Sequence, residues 1–388
     1  MKKIFSLLFV LFVASATFAQ ENEASLFERV AKMEKKQDWF NLYLNMQGSF
    51  DATFNYGGEN GFNQGKFYMR QFRIEATGHV TDWLWYRWRQ RLNRHNNGNE
   101  MIDNLPESID YAAICVRFNK NFSLFAGKQG VAYGGFEYDA NPIDIYQYSN
   151  MIDYMNNFMT GVTLTYDINP NQQLAFQILD SRNKSQSDTY GINLEESRLP
   201  LVYTLNWNAN MCDNKWQTRY SASVMEEVKG KYMYYLALGN QFNFSEKCNM
   251  YFDIMSSLEQ LDRKGMITNM TGGKSAYNSH NAYNTLYNSF VAKVNYRFLP
   301  KWNFFAKGMY DMASVFESEG ALSKGNYSST ISYIGGIEYY PMTESNLHFF
   351  LAFIGQTHLF TDRAKTYGNS DYSTQRLSLG FIYKLPMF

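Results

Sequence analysis

The chain has 388 residues, with Lys plus Arg and Asp plus Glu at 36 each; its zero formal net charge gives no reason to expect nucleic acid or a strongly acidic or basic partner. A mean hydropathy of −0.42 excludes a bundle of membrane helices, yet 30 Tyr and 31 Phe against 7 Pro make a composition suited to half-buried strands. Three cysteines, Cys115, Cys212 and Cys248, are too few for a disulfide framework.

At the N-terminus, Lys2 and Lys3 precede an apolar run over 4–13, and Thr17, Phe18 and Ala19 form a small-residue cleavage site. Residues 1–19 therefore read as a signal peptide, because this run is about half the roughly 20 apolar residues a spanning helix needs. Leu26, Phe27, Val30 and Met33 lie at helical spacing within the charged lead 20–38, which reads as a short periplasmic segment.

From residue 39 to residue 388 the pattern has period two. Over 40–54, Phe40, Leu42, Leu44, Met46, Phe50 and Phe54 alternate with Asn41, Asn45, Gln47, Ser49, Asp51 and Thr53. A strand sends these sets to opposite sides, whereas a helix would mix them. Val162, Leu164 and Tyr166 alternate with Thr163 and Thr165 in the same way. So do Leu201, Tyr203, Leu205 and Trp207 with Thr204, Asn206 and Asn208, and Phe290, Ala292, Val294 and Tyr296 with Ser289, Lys293, Asn295 and Arg297. The template recurs about 16 times. Turn-like connections at 79–82, 119–121, 169–172, 209–214, 245–247, 299–301 and 341–345 alternate with connections that are mostly long and polar, the longest spanning 130–157. Short turns on one side and long loops on the other predict an all-β fold: a transmembrane antiparallel β-barrel with periplasmic turns and extracellular loops. No linker or repeat divides it, so one barrel domain is expected over 39–388.

Aqueous chemistry must then come from the wet parity. Gln71, Arg73, Glu75 and Thr77 share it, and next in the chain Arg87, Arg89 and Arg91 stand on one face about 7 Å apart. Facing lipid, each arginine would cost roughly 2 to 4 kcal/mol near the midplane, so the column is expected to face water. Arg117, Arg219, Lys293, Arg297, Lys307 and Arg376 add positive charge on that parity against Asp253, Asp311 and Glu338. Two readings stay open: an electropositive wall that prefers anions, or a mixed field in which acidic residues of the 130–157 loop (Glu137, Asp139, Asp144 and Asp153) neutralise it. Tyr133, Phe136, Glu137, Asp139 and Asp144 make that loop a candidate constriction, with a surface cap or trimer latch as the alternative.

Catalytic motifs are missing: there is no G-x-S-x-G, H-E-x-x-H or CxxC, and Gly272, Gly273, Lys274 and Ser275 lack the first glycine of a phosphate loop, Thr268 standing there. Five scattered histidines give no metal site, and no cofactor or enzymatic activity is expected. Cys212 and Cys248 fall in neighbouring turns whose strands lie near 10 Å apart, so both are expected as free thiols.

Residues 68–78, YMRQFRIEATG, and 127–142, GKQGVAYGGFEYDANP, resemble the porin O and P family of Bacteroidetes, the group often labelled phosphate-selective porins. The resemblance covers most of the mature chain in layout and implies a 16-stranded, usually trimeric channel without catalytic residues. The chain departs from it at Ala132 and Tyr133, where proline is common. Phe388 matches the terminal aromatic read by the barrel assembly machinery, although Leu377, Leu379, Phe381, Tyr383, Leu385 and Met387 alternate one step out of phase with it. The reading is passive diffusion of ions and small hydrophilic solutes across a Gram-negative outer membrane with anion preference; for phosphate, only Arg73, Arg87, Arg89 and Arg91 speak. The expected partners are membrane lipid and lipopolysaccharide, small solutes, the assembly machinery and two further copies in a homotrimer. A closed barrel for adhesion or surface binding is the rival; it should pack large apolar or paired charged residues inward, where Asn, Gln, Ser, Thr and Gly are expected to dominate.

Overall fold

The computed structural model describes residues 39–57, 61–94 and 102–387. The expected signal peptide, the 20–38 segment and Phe388 lie outside the described residues. Sixteen strands run in chain order: β1 (Asn41–Tyr56), β2 (Gly61–Thr81), β3 (Leu84–Arg91), β4 (Ile109–Arg117), β5 (Phe122–Gly130), β6 (Phe158–Asn169), β7 (Gln172–Asp180) and β8 (Leu201–Met211). There follow β9 (Trp216–Val228), β10 (Lys231–Ser245), β11 (Cys248–Leu261), β12 (Tyr283–Leu299), β13 (Trp302–Val315), β14 (Gly325–Tyr339), β15 (His348–Phe360) and β16 (Tyr372–Pro386). Each strand pairs with its chain neighbours, and β1 closes antiparallel on β16, with Met46 opposite Tyr383. Closure leaves no sheet edge, the condition for placing backbone amides in hydrocarbon at a cost of several kcal/mol for each unpaired group.

All seven expected tight turns connect strands at one end. At the other end lie the long loops, of which 131–157 is the longest; β9 and β10, however, are joined there by only Lys229 and Gly230. Cys115, Cys212 and Cys248 are free.

The alternation sorts side chains as expected. Phe50, Val162, Leu164, Tyr203, Leu205, Phe290 and Leu379 are exposed on the outer wall, while Asn45, Gln47, Asp51, Thr204, Asn206 and Ser378 are buried on the inner one. Leu205→Arg puts a charge on the apolar outer wall. It should cost about 2–4 kcal/mol in a bilayer, measurable as a lowered urea midpoint for folding into vesicles.

Two bulges break the parity. Opposite β1 the register jumps so that Gln47 faces Gln71 and Gly48 faces Met69, leaving Arg70 as the extra residue. Between β3 and β4 it jumps from Arg89–Tyr111 to Gln90–Ile109, leaving Asp110 unpaired in register. A bulge re-aims the inserted side chain, and both inserted residues turn inward: Arg70 bonds Asp51, and Asp110, fully buried, meets the arginines of β3.

The inner wall is not uniformly polar, which corrects the expectation that Asn, Gln, Ser, Thr and Gly dominate it. Along β9 to β15, Met225, Met233, Tyr235, Tyr251, Met255, Val291, Phe305, Met309 and Phe350 point inward and form one buried cluster with Val131, Tyr133, Phe136, Ile143, Tyr146, Met151 and Ile152 of the long loop. Period-two reading separates inside from outside, but it assumes that inside means water. Here the inside of half the barrel is protein.

Candidate solute pathway

The 131–157 loop enters the lumen because two glycines let it turn. Gly134 (φ 70°) and Gly135 (φ 88°) take left-handed backbone conformations. A Cβ at Gly134 would come within 2.9 Å of the Ser221 side chain, against the wall of β9. Directly after them, α1 (Phe136–Asp139) offers the backbone N–H groups of Phe136 and Glu137 to the Asp253 carboxylate of β11 at 2.9 and 2.8 Å.

Further along, the Tyr146 ring stacks on Phe305 at 4.6 Å while its hydroxyl donates to Glu338 at 2.8 Å. Arg376 of β16 donates to the Tyr146 carbonyl at 2.6 Å. Before α2 (Asn150–Asp153), Glu137 accepts from Ser149, and the Asn150 N–H donates to Asp311 of β13 at 3.1 Å. The loop is thus fixed to β9, β11, β13, β14 and β16, a set of neutral and charge-assisted bonds that leaves it a packed wall rather than a swinging segment.

A cavity of about 1160 Å³ lies open between the loop and the wall from β1 to β5, and a second of about 780 Å³ lies at the turn end beside Asn121, Asn208, Asn210 and Arg219. The lining of the first runs from His79, Trp85 and Arg117 at the turn end to Arg94, Glu107 and Asn183 at the loop end, so it follows the barrel's height. Arg73, Arg87, Arg89, Arg91, Arg94, Arg117, Lys128 and Lys384 line it, against the carboxylates Glu75, Glu107, Asp139 and Asp153.

The arginines of β2 and β3 are held rigidly. Asp110 sits at the centre: Arg91 Nε donates to it at 2.7 Å, Arg89 Nε at 3.1 Å, and Arg73 Nη1 lies at 3.4 Å. Arg87 donates to Glu75 through Nε at 2.8 Å. On their other faces the guanidinium of Arg87 lies 3.9 Å from the Tyr111 ring centre and that of Arg91 5.5 Å from Phe158. Because Asp110 engages Arg89 and Arg91 through Nε, it does not occupy their terminal amino groups. Four guanidiniums share two carboxylates, and the surplus is positive.

Within the wall the arginine column is bonded by Asp110 and Glu75, while of the loop acids Glu137 pairs with Lys307 and Asp139 with Arg219 at 3.1 Å. Asp153 alone joins Asp139 in facing the cavity from the loop.

The expected site residues therefore separate into two groups. Arg73, Arg87, Arg89, Arg91, Arg117 and Asp139 meet around the open passage. Tyr133, Phe136 and Glu137 are buried behind it, and Lys307 lies with them, donating to the Gln147 carbonyl at 2.8 Å. Lys293 faces the Phe305 ring at 5.5 Å beside Asp144, and Arg297 closes the turn end by donating to the Pro300 carbonyl at 3.0 Å.

Sequence reading passed over Asp110, Arg70, Lys128, Tyr111 and Tyr148. For Asp110 a signal existed: a carboxylate on the same parity as Ala112, Ile114 and Val116 cannot remain in lipid, so it marks a bulge. Lys128, held by Asp103 at 2.9 Å, gave none.

A family model described as phosphate-selective porin O and P matches residues 40–385. No curated protein matches the chain in sequence. Among solved structures the chain is similar to the outer membrane channel DcaP of Acinetobacter baumannii, with a TM-score of 0.62, 11% identity, and 89% of this chain and 97% of that one covered. It is similar also to an anion-selective porin from Comamonas acidovorans (TM-score 0.57, 8% identity, 90% and 100% covered). A third is the trimer form of in-vitro folded OmpT of Vibrio cholerae (TM-score 0.50, 10% identity, 90% and 100% covered). At such identities the likeness is one of fold.

Proposed function

Because the chain belongs to the phosphate-selective porin O and P family and is a channel of the Gram-negative outer membrane, we propose that small hydrophilic solutes cross it passively through the slot beside β1 to β5, with anions preferred. One observation supports the preference: among the described residues Arg73, Arg87, Arg89, Arg91, Arg94, Arg117, Lys128 and Lys384 line the passage and outnumber its carboxylates Glu75, Glu107, Asp139 and Asp153, with Asp110 behind the arginines. Charge lining a narrow path sets which ion enters, and low-dielectric walls focus the field of such a surplus. The anion-selective porin among the structural neighbours supports the reading, as the trimeric one supports a homotrimer. Lipid and lipopolysaccharide would surround the apolar outer wall, and the barrel assembly machinery would deliver the chain to them.

Planar-bilayer recording in a potassium chloride gradient tests this. Ohmic channels with a reversal potential on the anion side are expected; well-folded protein without conductance, or a cation-side reversal, would overturn it. The same recording carries a pH prediction. Withdrawal from bulk water raises the carboxyl pKa values of Asp139 and Asp153, which face the passage, with Arg219 opposing this at Asp139 and Arg94 at Asp153. A raised carboxyl takes up its proton sooner as pH falls, whereas arginine keeps its charge. Acidification from neutrality should therefore move the reversal potential further toward anions before ordinary carboxylates titrate.

A further inference from the structure

The slot has two unlike faces. Opposite the guanidiniums the loop presents the half-buried Tyr138, Pro142 and Tyr148 to the cavity, beside the exposed Asp139, Asp153 and Asn156 and with Ile152 and Met155 buried behind them. Tyr148 lies within electrostatic reach of Arg73, Arg89 and Arg91. A passage serving only hydrated inorganic ions gains nothing from this second face, since apolar and aromatic surface offers such an ion no replacement for its water. A solute with a charged end and a greasy body gains from both: its anionic group meets terminal amino groups of the arginines, and its carbon chain leaves water against the loop.

Resting on the anion reading above, we propose that the slot selects organic anions carrying an apolar body, such as medium-length monocarboxylates, over inorganic or heavily hydroxylated anions of equal charge. The loop face is fixed in place by bonds to β9, through Gly135 and Asp139 to Arg219, and to β11, β13, β14 and β16, so it is preorganised and costs the solute little ordering. Pairing a cationic strand face with a loop face makes the loop the source of discrimination by solute body and the strands the source of discrimination by charge.

Hexanoate and gluconate separate the two contributions. Each has six carbons and one carboxylate, but gluconate is hydroxylated along its length. With chloride carrying the current through the full-length reconstituted channel, hexanoate should reduce conductance at a concentration roughly five- to tenfold below that of gluconate, as partial burial of a few methylenes implies. Tyr148→Ser should narrow that ratio and Tyr148→Phe should keep it. Equal concentrations for the two anions in the unaltered channel, or a ratio unchanged in folded Tyr148→Ser, would overturn the organic-anion proposal. If Tyr148→Ser does not fold, the comparison in the unaltered protein decides by itself. The reversal potential distinguishes the two levels: an anion-side value with equal block removes only this proposal, whereas a cation-side value removes the anion reading beneath it.

Discussion

Replacing Arg87 and Arg89 together by alanine should move the reversal potential toward the cation side, lowering the anion-over-cation permeability ratio by roughly one order of magnitude. Two unit charges leave the passage. Each contributes about 1 kcal/mol to an ion some 4 Å away even in bulk water, and counterions screen part of the sum. The effect is larger than a count of two suggests, because Arg87 holds Glu75 at 2.7 Å. Without Arg87 that carboxylate loses its ion-pair partner and adds negative charge to the same slot, with Asn45 still donating to it. Salt-gradient recording on the double variant measures the shift; a reversal potential that stays in place would remove the arginine column from the mechanism while leaving the channel intact.

Asp110→Asn should destabilise the barrel by about 3–5 kcal/mol, the usual cost of removing one partner from a buried ion pair. Asp110 is fully buried and serves Arg73, Arg89 and Arg91 at once, so its loss leaves three guanidiniums beside one another without a shared counter-charge. The amide keeps the shape and one acceptor oxygen, so the loss is electrostatic rather than a matter of packing. A urea titration of the reconstituted barrel, followed by its change in gel mobility on unfolding, gives the number. In the channels that do assemble, the reversal potential should shift further toward anions, opposite in sign to the arginine variant. A midpoint that does not fall would mean that the ladder is held by its stacking on Tyr111 and Phe158 rather than by Asp110.

The two variants probe what the amino-acid sequence showed only in part. Arg87, Arg89 and Arg91 were legible as an inward column because one strand carries them all and the cost of arginine in lipid leaves one choice of side. The partner of that column was not. The acidic loop residues Glu137 and Asp139 stood as candidates by loop membership, yet they bond Lys307 and Arg219 across the lumen. The carboxylate that does the balancing sits on β4 at a position whose parity points outward until a bulge turns it in. Lys293, Arg297 and Lys307 share the inward parity with Arg73 and Arg91, but parity carries no information about what lies in front of a side chain. In this barrel a folded loop lies in front of Lys307, and the lysine becomes an anchor.

By itself the sequence determined the closed antiparallel wall, its sixteen strands, its seven tight turns and the side on which each regular residue falls, because these follow from local alternation and from the cost of unpaired amides and charges in hydrocarbon. Tertiary structure alone decided where the lumen stays open. The Met and Tyr residues of β9 to β13 are inward by pattern whether water or protein covers them, and the choice was made by contacts between residues more than a hundred positions apart, such as Phe136 with Asp253 and Tyr146 with Glu338. Such pairings depend on the barrel bringing distant strands to face one loop, a closure that no window of neighbouring residues contains.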